Sequence, residues 1–112
     1  MGIQDLVESG IYVDRSVLKY IVGLVRNARG DSRVEAGPSP RGAIALMKVA
    51  KANALLDGRN FVLPDDVKAY AVDALAHRIV VKAEYSFEGV TGEEVVREAL
   101  EKTPVPKGAE EK

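Results

Sequence analysis

The sequence predicts an all-α protein, a small helical bundle of about four main helices with one short extended arm. Three observations carry this. Apolar residues recur at helical spacing in several separate stretches. Most of those stretches begin or end on a residue suited to a helix terminus. The connections between them are short, as in bundles. The chain has 112 residues, enough for one compact domain.

At the start, "GIQDLVESG" reads as one short helix ended by Gly10, and "IYV" as a brief extended link. The first long helix is expected from about Asp14 to Arg29. Asp14 caps its start and Gly30 ends it in the left-handed conformation. Val17, Ile21, Leu24 and Ala28 form its apolar stripe, widened by Leu18 and Val25. "GDSRVEAGPSP" reads as a loop. The second long helix starts near Pro40 or Arg41, with Ser39 as N-cap and Pro40 in the first turn, and ends near Gly58.

The third helix starts at "LPDDV", where Asp65 and Asp66 suit the positive end of the helix dipole. Its core stripe is Val67, Tyr70, Ala71, Ala74 and Leu75. Leu63 stands where Ser or Thr would cap better. "RIVVKAEYSFEGV" alternates at Ala83, Tyr85 and Phe87, which predicts a short strand or extended arm. In the last helix, "TGEEVVREALEK", Thr91 and Glu94 make a capping box and Val90 staples onto Val95. The tail from Pro104, "PVPKGAEEK", reads as disordered or as a linker. The domain is set at residues 1–106, with a disordered tail at 107–112.

Composition excludes several functions. There are no cysteines, so disulfides, thiolate metal sites and cysteine nucleophiles are ruled out. Sixteen basic residues against seventeen acidic give a net charge of -1, which does not suggest a nucleic-acid binder. No apolar run approaches a membrane span and the N-terminus lacks a signal-peptide layout, so a cytoplasmic location is expected. "GPSPRG" lacks the lysine and the Ser/Thr of a phosphate-binding loop. His77, the one histidine, reads as an end-of-helix residue favoured by the dipole. Asp65 and Asp66 read as a helix start rather than a metal site, and no metal ligands are assigned.

Arg41 poses the sharper question. A positive side chain at a positive helix end is unfavourable in isolation, but reasonable if an anion arrives from elsewhere. Its planar fork suits phosphate oxygens. At about 100° per residue, Arg41, Lys48 and Lys51 share one arc with Ile44 and Leu55. Apolar residues wrap the rest, so the helix is expected to be buried on most sides. The mixed strip reads either as a solvated face with incidental aliphatics or as a docking face.

The ordered series "GPSPRGAIALMKVAKANALLDGRNFVLPDDVKAYAVDALAHRIVV" resembles the C-terminal lid domain of the MoxR family of AAA+ ATPases. The flanking "VLKYIVGLVRNAR" and "EGVTGEEVV" extend the likeness to nearly the whole chain, from about Gln4 to Pro106. The resemblance implies that Arg41 is a sensor-2 arginine, catalytic in the sense that it meets the nucleotide's phosphates. Ser39 and Gly42 would be its neighbours at the nucleotide, with Pro38, Ser39 and Pro40 holding the helix start rigid. It implies ATP and Mg in a longer parent, none bound by this chain alone, and no ATPase activity for this chain by itself. It also implies partners: the large AAA+ subdomain, neighbouring subunits of a ring oligomer, and von Willebrand factor A domain proteins. Nucleic acid and membrane are not expected. Two rival readings stand beside it. One is a helix-turn-helix nucleic-acid module using Lys48 and Lys51; the other is an autonomous protein-interaction bundle.

Overall fold

The computed structural model describes residues 11–106. The expected helix within residues 2–10 and the tail at 107–112 lie outside them. Four main helices are present: α1 (Arg15–Arg29), α2 (Pro40–Leu56), α3 (Pro64–Leu75) and, after the short α4 (Ala83–Phe87), α5 (Gly92–Lys102). Two small strands, β1 (Val34–Ala36) and β2 (Val80–Val81), pair antiparallel.

Helix α1 begins where Asp14 accepts the Ser16 amide at 3.0 Å. It buries Val17, Tyr20, Ile21, Leu24, Val25 and Ala28, leaving Leu18 partly exposed. Gly30 ends the helix, but in the right-handed region (φ -83°, ψ -1°) rather than the left-handed one expected. Its amide still bonds Arg26 O at 2.9 Å, so a continued helical turn closes the end without a conformational reversal. Helix α2 stops before Gly58, whose φ of +77° supplies the reversal that glycine favours.

Helix α2 packs most extensively on α3, while α5 lies against α1 and α3. Leu46, Val67, Leu75, Val95 and Val96 join Ile21 and Leu24 in one continuous core. Thr103 ties the end of α5 to α1: it accepts from Asn27 at 2.7 Å and donates to Ala99 O at 2.7 Å. At the other end, Tyr12 N–H donates to Asn60 O and Val62 N–H donates to Tyr12 O, fixing the extended "IYV" link to the α2–α3 connection.

Three further sequence expectations are corrected. Residues 34–36, read as loop, form β1 because Val34 has a core face to fill and Val81 as a cross-strand neighbour. Ala83–Phe87, read as extended, is helical. Strand β1 is only three residues long, so the ladder ends at Val81 and the chain closes on itself: the Tyr85 and Ser86 amides both donate to Lys82 O. Phe87, at the end of this helix, is 91% exposed. The tail reading begins too early, since Val105 rests against the core.

Candidate functional site

The start of α2 is built by the residues before it. Pro38 is fully buried and anchors the turn. Ser39, extended at φ -86° and ψ 178°, caps the helix: its hydroxyl accepts the Arg41 amide at 3.2 Å and its carbonyl accepts the Gly42 amide at 2.8 Å. Pro40 has no N–H to offer. The first amides of this helix are therefore satisfied within the chain. What remains for an anion is the helix dipole and the arginine itself.

Arg41 is exposed, and no ion pair or side-chain hydrogen bond engages its guanidinium among the described residues. Gly42 is buried behind it. A methyl group at Gly42 would stand 3.0 Å from Pro38 Cβ and 3.4 Å from both Arg78 Cδ and Leu75 Cδ2. Glycine therefore lets the Pro38 turn and the end of α3 close onto the first turn of α2. That packing brings Arg78 beside the same turn, its Nε donating to Ala74 O at 3.1 Å. Arg78 is not among the site residues predicted from the sequence. The missed signal is its place one turn beyond the α3 core residue Leu75.

The remainder of α2 is less enclosed than its composition suggested. Gly42, Leu46, Ala50 and Ala54 are buried, at i, i+4, i+8 and i+12, and form one face. Ile44 and Leu55 are exposed as expected, but so are Val49 and, at 85%, Leu56. Lys48 and Lys51 are half-buried. The correction has a simple cause: alanine and valine on a helix mark apolarity, not which side a neighbour occupies.

A second polar cluster lies at the far end of α2. Asp66 is 2% exposed and accepts from Arg59 Nη1 at 2.8 Å, Arg59 Nη2 at 2.7 Å, the Leu63 amide at 2.7 Å and Asn53 Nδ2 at 2.7 Å. Burial pushes the Asp66 carboxyl up, but these four donors outweigh it and hold it below the usual carboxylate range. Leu63 thus needs no capping side chain of its own, because Asp66 reaches back to its amide. This acid fastens α3 to α2 and is a structural clasp. Among the described residues no three His, Asp or Glu side chains converge as metal ligands would.

Charge is distributed unevenly. Helix α1 carries Arg15, Lys19, Arg26 and Arg29, and α2 carries Arg41, Lys48 and Lys51; neither holds a single Asp or Glu. Helices α3, α4 and α5 hold eight acidic residues and three basic ones. The near-zero net charge therefore conceals a basic, partly apolar helix pair set against an acidic remainder.

A family model described as the AAA lid domain matches residues 26–99, and the chain belongs to that family. Its relatives make it a lid of the MoxR type. Protein YeaC of Bacillus subtilis is 44% identical over 96 residues, covering 86% of this chain and 30% of that protein. Chaperone MoxR1 of Mycobacterium tuberculosis is 27% identical over 104 residues, covering 85% and 28%. A crystal structure of a proposed ATPase from Cytophaga hutchinsonii superposes with a TM-score of 0.84 at 32% identity, covering 91% of this chain and 33% of that one. The chain spans roughly a third of the length of these relatives.

Proposed function

We propose that the chain serves as the lid of a MoxR-type AAA+ ATPase and that Arg41 is its sensor-2 residue. Arg41 would reach the phosphates of a nucleotide held on a separate large subdomain. The observation that carries this is the unengaged guanidinium of Arg41, held at the positive end of a capped helix. Its surroundings fit a phosphate: the dipole and Arg78 favour negative charge, and no carboxylate among the described residues is bonded to the guanidinium. ATP with Mg supplies the phosphoryl group and the counter-charge when bound elsewhere in the parent. This chain's part is to place a guanidinium against the terminal phosphate and to change its contact when that phosphate leaves.

Differential contact before and after hydrolysis is what shifts the angle between lid and large subdomain. Ser39 and Gly42 act by shaping the helix start at the nucleotide. Lys48, Lys51, Ile44 and Leu55 face the large subdomain or a neighbouring subunit of a ring. The reading extends to remodelling, chaperone-like work in the cytoplasm, on clients or partners such as von Willebrand factor A domain proteins. By itself the chain turns over no ATP.

The test is Arg41→Ala in the full-length parent. ATP turnover should fall at least tenfold, on the order of 1.4 kcal/mol in the barrier, while the variant lid melts as the original does. Unchanged turnover in a folded variant would remove the sensor role.

A further inference from the structure

We propose that the chain carries both halves of a head-to-tail contact with a second copy of itself: Phe87 of one copy enters the α1–α2 groove of the next. Helix α4 buries none of its residues, and Phe87 at its end is 91% exposed. Glu84, Phe87 and Glu88 stand at i, i+3 and i+4, so an aromatic ring and two carboxylates share one side of the tip. Gly89, at φ +95°, turns the chain away immediately after.

The groove has the reverse chemistry. It encloses about 540 Å³ between α1 and the start of α2, with Val22, Val25 and Ile44 among its walls. Arg26 and Arg29 also line it. Val22, Val25, Arg26 and Arg29 recur at i, i+3, i+4 and i+7, so the apolar and basic positions lie along one stripe of α1. No ion pair engages Arg26, Arg29, Glu84 or Glu88 among the described residues. An aromatic side chain flanked by acids matches an aliphatic slot flanked by arginines in both shape and charge.

Groove against groove would oppose arginines, and tip against tip would oppose glutamates, so the contact pairs tip with groove. A head-to-tail contact leaves one tip and one groove open at the ends of any assembly, and so builds rings or chains. One aromatic knob buries about 150–250 Å² of side chain, far below the roughly 1,000 Å² of a stable interface. Isolated chains should therefore associate weakly, and copies held together by a larger body strongly. The inference does not depend on Arg41 or on nucleotide, so it stands or falls separately from the sensor role.

The test uses the full chain, isotope-labelled, in nuclear magnetic resonance from roughly micromolar to millimolar concentration. The Val22, Val25, Ile44 and Phe87 amides should shift together as concentration rises. Phe87→Asp, at an exposed position, should abolish the shifts, and so should the double variant Arg26→Glu/Arg29→Glu. Mixing labelled Phe87→Asp with the unlabelled groove variant should restore the groove shifts, saturating at one-to-one because each partner retains one working half. Wild-type shifts that ignore concentration would overturn the proposal, as would self-association that survives Phe87→Asp, or a mixture in which nothing is restored.

Discussion

Replacing Asp66 by alanine removes the acceptor for four hydrogen bonds at once. Removing one partner of a buried ion pair costs about 3–5 kcal/mol, because the other charge is stranded. Arg59 is 18% exposed and keeps Asp57 at 2.9 Å, so the lower end, about 3 kcal/mol, applies here. The Leu63 amide also loses its cap at the start of α3, adding about 1 kcal/mol. The expected loss is thus about 4 kcal/mol, a large share of the roughly 5–15 kcal/mol that holds a domain together. In melting temperature that is on the order of 20 °C.

Urea unfolding followed by circular dichroism measures the loss directly, provided the slope is unchanged. The double variant Asp66→Ala/Arg59→Met completes the cycle and should recover part of the stability, since it leaves no stranded guanidinium. A loss below about 1 kcal/mol, the range of exposed ion pairs, would refute the claim that this cluster clasps α2 to α3. So would a double variant less stable than Asp66→Ala alone.

Other expectations follow from the same structure. Hydrogen bonds from Arg33 hold the Asp31 carboxyl down to about 2, below its ordinary value, so its contribution is present above the unfolded pKa and lost as pH falls through about 2. In urea titrations Asp31→Asn should therefore cost about 2 kcal/mol near neutrality, and its deficit should vanish in strong acid. A methyl at Gly92 would meet the Ala76 carbonyl oxygen at 2.5 Å, so Gly92→Ala should destabilise by about 1–3 kcal/mol. Gly23→Ala is the contrast: its nearest neighbour would be Thr103 Cγ2 at an ordinary 3.5 Å, and thermal melts should show a gain of about 1 kcal/mol from helix propensity.

The four main helices were legible because their ends are written locally. Asp14, Ser39, Pro64 and Thr91 mark starts by chemistry that acts within three residues. The arm was legible only in part: the stretch does hold a short strand, β2, but at Val80–Val81. Alternation at Ala83, Tyr85 and Phe87 is the same signal whether or not a strand waits beside it, and β1 begins only at Val34, opposite Val81.

The candidate site divides the same way. Arg41, Ser39 and Gly42 stand together in sequence and on one helix turn, so they were found as a group. Arg78 reaches that turn only through the packing of α3 on α2, and no local pattern encodes it. The roles of Asp66 and Arg59 were hidden for a related reason: an aspartate in a first turn is expected of any helix, and only burial tells a clasp from a cap.

The 17 residues of α2 make a rod of about 25 Å. The Arg59–Asp66 cluster grips one end, and Arg41 stands near the other. A rod pinned in this way acts as a lever. A sideways displacement of about 2 Å at the arginine would swing the axis by roughly 5° over that length, and α3, fastened at the pivot, would turn with it.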